Sequence, residues 1–488
     1  MIAPAASRLR DERGLALPLA LGVTLVLVAL GAAIFTYVTA NQGSAHRSKA
    51  DTAAYGLAEA GLSTALSKLE SASDPYSAAA VPSTWTTVTM PGGTIEYRGE
   101  LAGSTWTLYG RGTVANPTGP GAASVVRAAS LQAQVTTQTV GDLRPWKYLF
   151  IDQPSGCVTL GNLVSLTLAV YVRGDLCLEN NAQVWSPAVH VLGSLYVNNS
   201  ASVGTASNPI DEFLASGACH YSGTPVTCGP AARVYANRVA TSPPAIAKPQ
   251  INLANAYDTA QLGPRSNCNV GSFPGGANAF DNEAGPRSSS TTMNASLPEV
   301  DLTPSTGYDC ERWEDTDGNG TLDTKVAELE WIPGSPGTLR IKGTIFFDGD
   351  VTWNNLNLIQ YDGQATIYAS SQIVIKNRAD LCGVPGCDSS WDPNTDMLVL
   401  VAGSVRSETL STDIGNQVVF QGAIYAVNDL EIQQNTTIWG PVIARNATIS
   451  NSVTLNALPK ELAGATDGMP VNQTTQPVVQ TVAGSYAG

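Results

Sequence analysis

The pattern of apolar and polar positions divides the chain into one long helix followed by many short strands. Residues 15–38 form an uninterrupted run without a charged side chain. Beyond this run, Ala54, Ala58, Leu62 and Leu66 recur at helical spacing. At about 1.5 Å per residue the uncharged run is long enough to cross a bilayer. The pattern therefore predicts a helix over 15–70, with its first half in lipid and an amphipathic second half.

Alternating segments follow the helix between residues 71 and 140. The runs 94–101, 105–114 and 122–135 alternate apolar and polar side chains, with Gly and Pro between them. Period-two alternation bounded by turn residues is typical of antiparallel strands. We expect a small antiparallel sheet in this region.

Internal repetition is the main feature beyond residue 140. The segment 172–184 is echoed by 192–203, and Gly174 corresponds to Gly193. The segment 422–429 is echoed by 440–447, and Gly422 corresponds to Gly440. Short strands that return at such a constant, short period, with Gly and Asn at the corners, predict the coils of a parallel β-solenoid. A β-sandwich of similar strands is the alternative.

The predicted coils fall in two runs, over 141–210 and 339–458, because residues 341–353, 365–375 and 397–405 alternate in the same way. Residues 211–338 break the pattern with Pro, Gly, Ser and four cysteines, which predicts a loop-rich insertion held by disulfides. Residues 459–488 have little apolar periodicity and are predicted to be a flexible tail. The expected fold class is α+β and mainly β, and Asn at the coil corners is expected in the left-handed conformation.

The amino terminus resembles a known family. A charged leader, Arg8 to Gly14, precedes the apolar run, and residues 53–62 read Ala-Ala-Tyr-Gly-Leu-Ala-Glu-Ala-Gly-Leu. These segments resemble the start of type IV pilins, particularly the PilX-type minor pilins, and the resemblance covers about residues 8–70. It implies that a prepilin peptidase cuts after Gly14 and leaves Leu15 as the new terminus.

The resemblance also implies partners and a location. The helix would first lie in the inner membrane and would then pack against other pilins in a filament at the cell surface, with the sheet as a pilin head. Major pilins carry glutamate at the fifth mature position, whereas this chain has Leu19; this favours a rare subunit. Two alternatives stay open: an uncleaved membrane anchor, and a secretory signal peptide cleaved after Ala40.

Composition changes this picture in one respect. The chain has 26 Lys and Arg residues against 40 Asp and Glu residues, so its net charge is −14. No broad basic surface is therefore available to neutralise a phosphate backbone, and nucleic acid is not a predicted partner. The surface ligand of the outer domains is not identified by the sequence.

The cysteines indicate an oxidising compartment. All eight lie beyond residue 156, and an even number in an exported chain favours disulfides. Buried thiols and a zinc site are the alternatives. Pairing of neighbours gives the expected bridges, which are Cys157 with Cys177, Cys219 with Cys228, Cys268 with Cys310, and Cys382 with Cys387.

One loop has the residues of a calcium site. Asp315, Asp317, Asn319 and Asp323 place side-chain oxygens at loop positions 1, 3, 5 and 9, Gly320 stands at position 6, and Thr321 offers its carbonyl. Position 12 is Val326, where an EF-hand needs glutamate. Calcium is the predicted cofactor, and a solvated acidic turn is the alternative.

Catalytic signals are few. His46, His190 and His220 have no metal-ligand spacing, and no nucleophile or phosphate-loop motif is present. Asp348, Asp350 and Asp362 form a carboxylate set of the kind that cleaves polysaccharides, or they are exposed turn residues. The sequence predicts a non-enzymatic minor pilin with an adhesive head. A membrane-anchored or secreted adhesin and a solenoid carbohydrate-active enzyme are the alternatives.

Overall fold

The computed structural model describes residues 16–72, 74–116, 123–263, 297–354, 358–403 and 410–488. The chain divides into two compact units. Unit 1 comprises Met1–Val140 with Thr474–Gly488, and unit 2 comprises Gly141–Gln473. Each unit is described by itself below.

A single long helix dominates unit 1. Helix α1 spans Ala16–Glu70, which is 55 residues. Its residues from 20 to 49 are almost all exposed, although most are apolar. From Ala50 onward, side chains at helical spacing become buried, among them Ala54, Ala58, Leu62 and Leu69. The two halves predicted from the sequence are therefore present in one continuous helix.

The second half of α1 packs on an antiparallel sheet. The first four strands are β1 (Thr86–Met90), β2 (Gly93–Ala102), β3 (Thr105–Val114) and β4 (Val125–Asp142). Glycines in β3 let the helix backbone approach closely, because a Cβ on Gly110 would stand 2.1 Å from the Ala58 carbonyl oxygen. A Cβ on Gly112 would likewise stand 2.1 Å from the Ala54 carbonyl oxygen. Trp106 and Leu108 of β3 complete the core beneath the helix.

The last strand of the chain also belongs to this sheet. Strand β35 (Asn472–Thr481) lies beside β4, so the sheet order is β1-β2-β3-β4-β35. The prediction of a flexible tail over 459–488 is therefore wrong. The Tyr486 hydroxyl lies 2.7 Å from that of Tyr55 and donates to Glu59 at 3.0 Å. A strand held by partners from the opposite end of the sequence leaves little local periodicity to detect.

Unit 2 starts with a run of coils. Their strands are β5 (Tyr148–Ile151), β6 (Cys157–Leu160), β7 (Ser165–Leu166), β8 (Ala169–Val172), β9 (Asp175–Leu178), β10 (Gln183–Val184), β11 (Ala188–Val191), β12 (Leu195–Val197), β13 (Ser202–Val203), β14 (Ile210–Ala215), β15 (Cys219–Tyr221), β16 (Thr224–Val226) and β17 (Ala236–Ala240). Helix α2 (Leu253–Thr259) follows, and then β18 (Leu297–Asp301) and the hairpin of β19 (Tyr308–Glu314) and β20 (Thr324–Ile332).

A second run of coils completes unit 2. Its strands are β21 (Gly337–Phe347), β22 (Gly349–Trp353), β23 (Leu358–Ala369), β24 (Ile373–Ile375), β25 (Asp380–Cys382), β26 (Met397–Ala402), β27 (Leu410–Ile414), β28 (Val419–Gln421), β29 (Ala423–Ala426), β30 (Asp429–Ile432), β31 (Thr437–Trp439), β32 (Val442–Ala444), β33 (Asn446–Ile449) and β34 (Thr454–Asn456).

The two runs stack into one parallel β-solenoid, as the sequence predicted. Strands β32, β33 and β34 of the last coil pair in parallel with β5, β6 and β7 of the first coil. The chain therefore enters the solenoid in its middle and forms the coils of one half first. It then crosses to the opposite end and forms the coils of the other half, which end beside the entry point. The coils extend into the predicted insertion, because β14 pairs in parallel with β11, and β18 with β22.

Each coil has three faces. Face A comprises β5, β8, β11, β14, β17, β26, β29, β32 and the second halves of β21 and β23. Face B comprises β6, β9, β12, β15, β18, β22, β24, β27, β30 and β33. Face C comprises β7, β10, β13, β25, β28, β31, β34 and the first halves of β21 and β23. The inward side chains of all three faces form one continuous apolar core of Val, Ile, Leu and Ala.

The corner between faces B and C repeats one backbone conformation. Successive coils place a residue with positive φ there, and these residues are Arg378, Gln417, Asn435, Ser452, Leu163, Asn181 and Asn199. Three of the seven are asparagine, the residue type that tolerates this conformation best after glycine. The expectation of left-handed asparagines at coil corners is confirmed at these three positions.

Candidate functional site

The first candidate site is the amino-terminal segment. Gly14 and Leu15, the predicted processing site, lie outside the described residues. Within the described part of the chain, one helix is long and apolar enough to cross a membrane, judged by length and composition. Exposed apolar side chains such as Leu25, Val28 and Phe35 cover its first half.

Three of the four expected disulfides are present. Cys157 bonds to Cys177, Cys219 to Cys228 and Cys382 to Cys387, with Cα atoms 5.8, 5.2 and 5.4 Å apart. Cys310 is also disulfide-bonded. Cys268, its expected partner, lies outside the described residues. The Cys382–Cys387 bridge closes a short loop between faces C and A, and Cys219–Cys228 closes the hairpin at one end of face B.

The predicted calcium loop connects β19 and β20 and is almost entirely exposed. Asp315 accepts hydrogen bonds from the N–H groups of Gly318 at 2.7 Å and Gly320 at 2.6 Å. The bond from Gly320 is the main reason that the pKa of Asp315 is lowered. Asp317 accepts from Asn319, and Asn319 in turn accepts from Thr321.

The loop oxygens are thus directed mainly at the loop's own backbone. Asp323 accepts a hydrogen bond from Thr324 at the end of the loop. Among the described residues, no three Asp, Glu, His or Cys side chains converge into a metal-binding group. Calcium binding by Asp315, Asp317, Asn319, Thr321 and Asp323 stays a prediction.

The three candidate carboxylates do not form one site. Asp362 on β23 lies opposite Arg340 of β21 in the strand register. Asp348 directly follows β21, beyond the bend that Gly343 makes in that strand with a φ of 75°. Asp348 was expected in an exposed turn, but it is fully buried and accepts a hydrogen bond from Ser370 at 2.6 Å. Asp350 accepts from the backbone of Gln372.

The histidines have separate surroundings. His46 lies on the exposed part of α1, and His220 stacks on Tyr196 with ring centroids 4.4 Å apart. His190 is buried on face A, and its Nε2 lies 2.9 Å from Glu212. That hydrogen bond is the main cause of the lowered pKa of Glu212.

Sequence reasoning missed a covered outer surface on face A, which we call the strapped face. Across successive strands it presents one outward row, which consists of Phe346, Tyr368, Val401, Tyr425, Ile443, Phe150, Tyr171 and His190. Two connecting segments, 246–257 and 458–471, cover this row. The signal was available, because strands such as β8, β26 and β29 are buried at every position and carry continuous apolar runs.

Polar groups fix the covering segments in place. The hydroxyl of Tyr425 donates to the Pro249 carbonyl at 2.5 Å, and that of Tyr368 donates to the Gly468 carbonyl at 2.5 Å. Lys248 donates from Nζ to the Val427 carbonyl at 3.1 Å and lies 5.0 Å from the centroid of the Tyr425 ring. Burial lowers the pKa of Lys248 to about 8.

Sequence reasoning also missed an uncovered surface on face C. Four adjacent strands, in the spatial order β31, β34, β7 and β10, each direct one apolar residue inward and the residues on either side of it outward. We call this surface the open face. Its two outward tryptophans are Trp439, which follows Ile438, and Trp185, which follows Val184. Trp185 is 37% exposed, and Trp439 is half-buried.

A cavity of about 320 Å³ adjoins the open face at the corner between faces C and A. Its apolar wall includes Trp146, Tyr148, Leu168 and Leu458. The ion pair of Lys147 with Glu461 lies at its margin, with 2.9 Å between nitrogen and oxygen.

Comparisons with known proteins give a limited result. No protein-family model matches the sequence, and no curated protein matches it. One similar solved structure is described as the crystal structure of competence-associated pilin ComZ from Thermus thermophilus. The alignment covers 90% of this chain and 97% of that one, at 13% identity and a TM-score of 0.40. Similarity at this level carries no argument about function, so the function is argued from this chain's own residues.

Proposed function

We propose that the chain is a minor pilin-like structural subunit of the PilX-like type that displays a large head outside the cell. The observation that carries the proposal is the division of α1. Its first half is apolar and exposed, while its second half is packed against a glycine-containing strand of a small sheet. An exposed apolar helix needs a partner in water, and a bilayer or a bundle of similar helices supplies one.

The proposal includes a sequence of locations. The apolar half of α1 holds the subunit in the inner membrane, a prepilin peptidase removes residues 1–14, and the helix then packs with those of other pilins in a filament. Leu19 stands where major pilins carry a glutamate that pairs with the amine of a neighbouring subunit. In a repeating subunit this ion pair would be missing at every contact, so Leu19 supports a rare position in the filament.

The test is the mature amino terminus, measured by mass spectrometry of protein recovered from the cell surface. We expect it to begin at Leu15. A Gly14→Leu variant should keep its leader, whereas Gly22→Leu should be processed normally, because no atom lies within 4 Å of the position a Cβ would take at Gly22. A start at Asn41 would contradict the proposal and identify a secreted protein. An intact Met1 would contradict it too and would indicate a membrane-anchored surface protein.

A non-enzymatic role is part of the proposal. The burial of Asp348 and the exposure of Asp362 support it, because hydrolysis of a glycosidic bond needs two carboxylates that face one substrate about 5 to 10 Å apart. A solenoid carbohydrate-active enzyme is the alternative to this role. Release of reducing sugar from a neutral polysaccharide by the purified chain would overturn the non-enzymatic role.

Calcium in the 315–323 loop is a separate part of the proposal. Titration calorimetry with Ca²⁺ should give one site in the full-length chain, and Asp315→Asn with Asp317→Asn should remove it. Substitution of Asp309 in the adjoining strand β19 by Asn serves as the control for a general loss of negative charge. Equal binding by the double variant would reject a site in this loop.

A further inference from the structure

The open face lacks charge, although the chain as a whole is strongly acidic. Besides Trp185 and Trp439, its four strands direct outward only hydroxyl and amide side chains, which are Thr437, Thr454, Asn456, Ser165, Thr167 and Gln183. The net charge of the chain is −14. A surface without charge is complementary to a neutral ligand and gives no attraction for a polyanion or a polycation.

The two tryptophans lie in one row across the strands. The register pairs Trp439 with Asn456 directly, and the pairings of the adjacent residues place Asn456 beside Thr167 and Thr167 beside Trp185. Three strand spacings therefore separate the tryptophans, which is about 14 Å along the solenoid axis. One extended polymer of sugar rings can reach both indoles.

Polar groups fill the space between the tryptophans. The Thr167 hydroxyl donates to the Asn456 side-chain oxygen at 3.2 Å and accepts from the Ala457 N–H at 3.2 Å. These bonds fix the orientation of both side chains while leaving the remaining amide and hydroxyl capacity for a polyhydroxyl ligand. Indole rings provide flat apolar surfaces for the C–H faces of sugars, and the amides and hydroxyls suit their hydroxyl groups.

The surface has defined ends. One strand beyond Trp439, the loop closed by Cys382–Cys387 covers Gln421, whose side-chain oxygen accepts from the Gly383 N–H at 3.0 Å. One strand beyond Gln183, Ser202 is buried, and Arg233 donates to the Ala201 carbonyl at 2.8 Å. These contacts bound the open face to about four strands of face C.

We propose that the open face is a binding site for an extended, neutral polysaccharide, with Trp185 and Trp439 stacking on sugar rings. This inference rests on the proposed function in one respect, since unit 2 must be outside the cell to meet such a polymer. It gives the head a ligand class and makes the adhesive role specific. A nucleic acid strand, which could also stack on indoles, is disfavoured because no cation lies among the outward side chains of these strands.

The test uses the purified full-length chain in detergent. Depletion of the protein from solution is measured on microcrystalline cellulose, chitin and insoluble mannan, and on immobilised single-stranded DNA. We expect retention on at least one neutral polysaccharide and none on DNA. Trp185→Ala should weaken retention about tenfold or more, and Trp185→Tyr should restore most of it.

Trp313 provides the matched control, because it is 42% exposed on β19, which pairs with β20 and not with a strand of the open face. Trp313→Ala should bind like the unmodified chain. The inference is overturned if no neutral polysaccharide retains the chain, if Trp313→Ala loses as much as Trp185→Ala, or if DNA is retained instead. Because binding is measured with purified protein, a negative result leaves the mature amino terminus as an independent test of the pilin-like role.

Discussion

The strapped face and the open face belong to the same coils but differ in how far their outward side chains are covered. Both are outward surfaces of parallel strands with the same spacing, and both lie over the same apolar core. On the strapped face the outward row is aromatic or aliphatic and is covered by two connecting segments. On the open face the row is made of hydroxyls, amides and two tryptophans, and its side chains are half-buried or exposed.

This comparison shows that the outward side chains, and not the strand geometry, determine whether a face is covered or left accessible to solvent. Apolar outward rows need a cover to be removed from water, and here the chain's own returning segments supply it. Polar outward rows leave a sheet surface that is satisfied by solvent and is free for a ligand. Substitutions on the two faces therefore test whether one is structural and the other is available to a ligand.

Truncation on the strapped face should have the largest effect on stability. Phe150 is fully buried and stacks on Tyr171, with ring centroids 4.8 Å apart. Phe150→Ala should lower the free energy of unfolding by about 4 kcal/mol, because it leaves a cavity between two coils and the covering segment. Urea denaturation followed by circular dichroism measures the loss. A loss below about 1 kcal/mol would mean that the covering segments are loosely held.

How much of this could be predicted from sequence differs between the inward and outward rows. The inward rows repeat from one coil to the next and predicted the coils, including the pairs Gly174 with Gly193 and Gly422 with Gly440. Alternation of apolar and polar side chains over 397–405 predicts one buried and one exposed side, yet Met397–Ala402 is buried at every position. The continuous apolar run indicates that both sides of this strand are covered, but no local pattern shows which distant segment supplies the cover.

The pairing of the last coil with the first could not be predicted from local sequence patterns either. Local patterns indicate strands in each run of coils, but nothing in either run marks which end pairs with the other. The pairing of Thr454 with Ser165 joins the end of the second run to the start of the first. The open face was missed for a related reason, since Trp185 and Trp439 become neighbours in one row only through this junction.

The second prediction concerns pH and the covering segment. Lys248 has a pKa of about 8 in the folded chain, below its ordinary value of 10.5, because burial disfavours the charged form. The unfolded chain therefore holds more protons between about pH 8 and 10.5, and folded stability should rise with pH in that window. The gain should be about 2.5 kcal/mol at most, after allowance for residual solvent contact.

Lys248→Met isolates this contribution, because buried tyrosines of the same face titrate equally in both proteins. The difference in unfolding free energy between the two proteins should move in favour of the unmodified chain as pH rises from 8 to 10. A difference that stays constant over this range would mean that the Lys248 ammonium keeps its charge under the cover.

The third prediction concerns the boundary of the open face. Replacement of Cys382 and Cys387 by alanine should cost about 2 kcal/mol, as expected for a short disulfide loop. Hydrogen exchange should then accelerate at Gly383 and Val384, whose N–H groups donate to the Gln421 side chain. Exchange at residues 437–439 should not change. Unaltered protection at Gly383 would show that Gln421 holds the loop without the disulfide.

The smallest effect on stability is expected on the open face itself. Thr454 directs its side chain outward, so Thr454→Ala should change the unfolding free energy by less than about 0.5 kcal/mol. Trp185 is 37% exposed, so Trp185→Ala should cost about 1 to 2 kcal/mol through the lost contacts of the buried part of its ring. Trp439→Ala should cost somewhat more, because part of its ring packs against the apolar cluster of the strapped face. Thermal melts of the three variants beside Phe150→Ala measure this order. If Trp185→Ala destabilised the chain as strongly as Phe150→Ala, the open face would be a structural surface, and its tryptophans would not be available to a ligand.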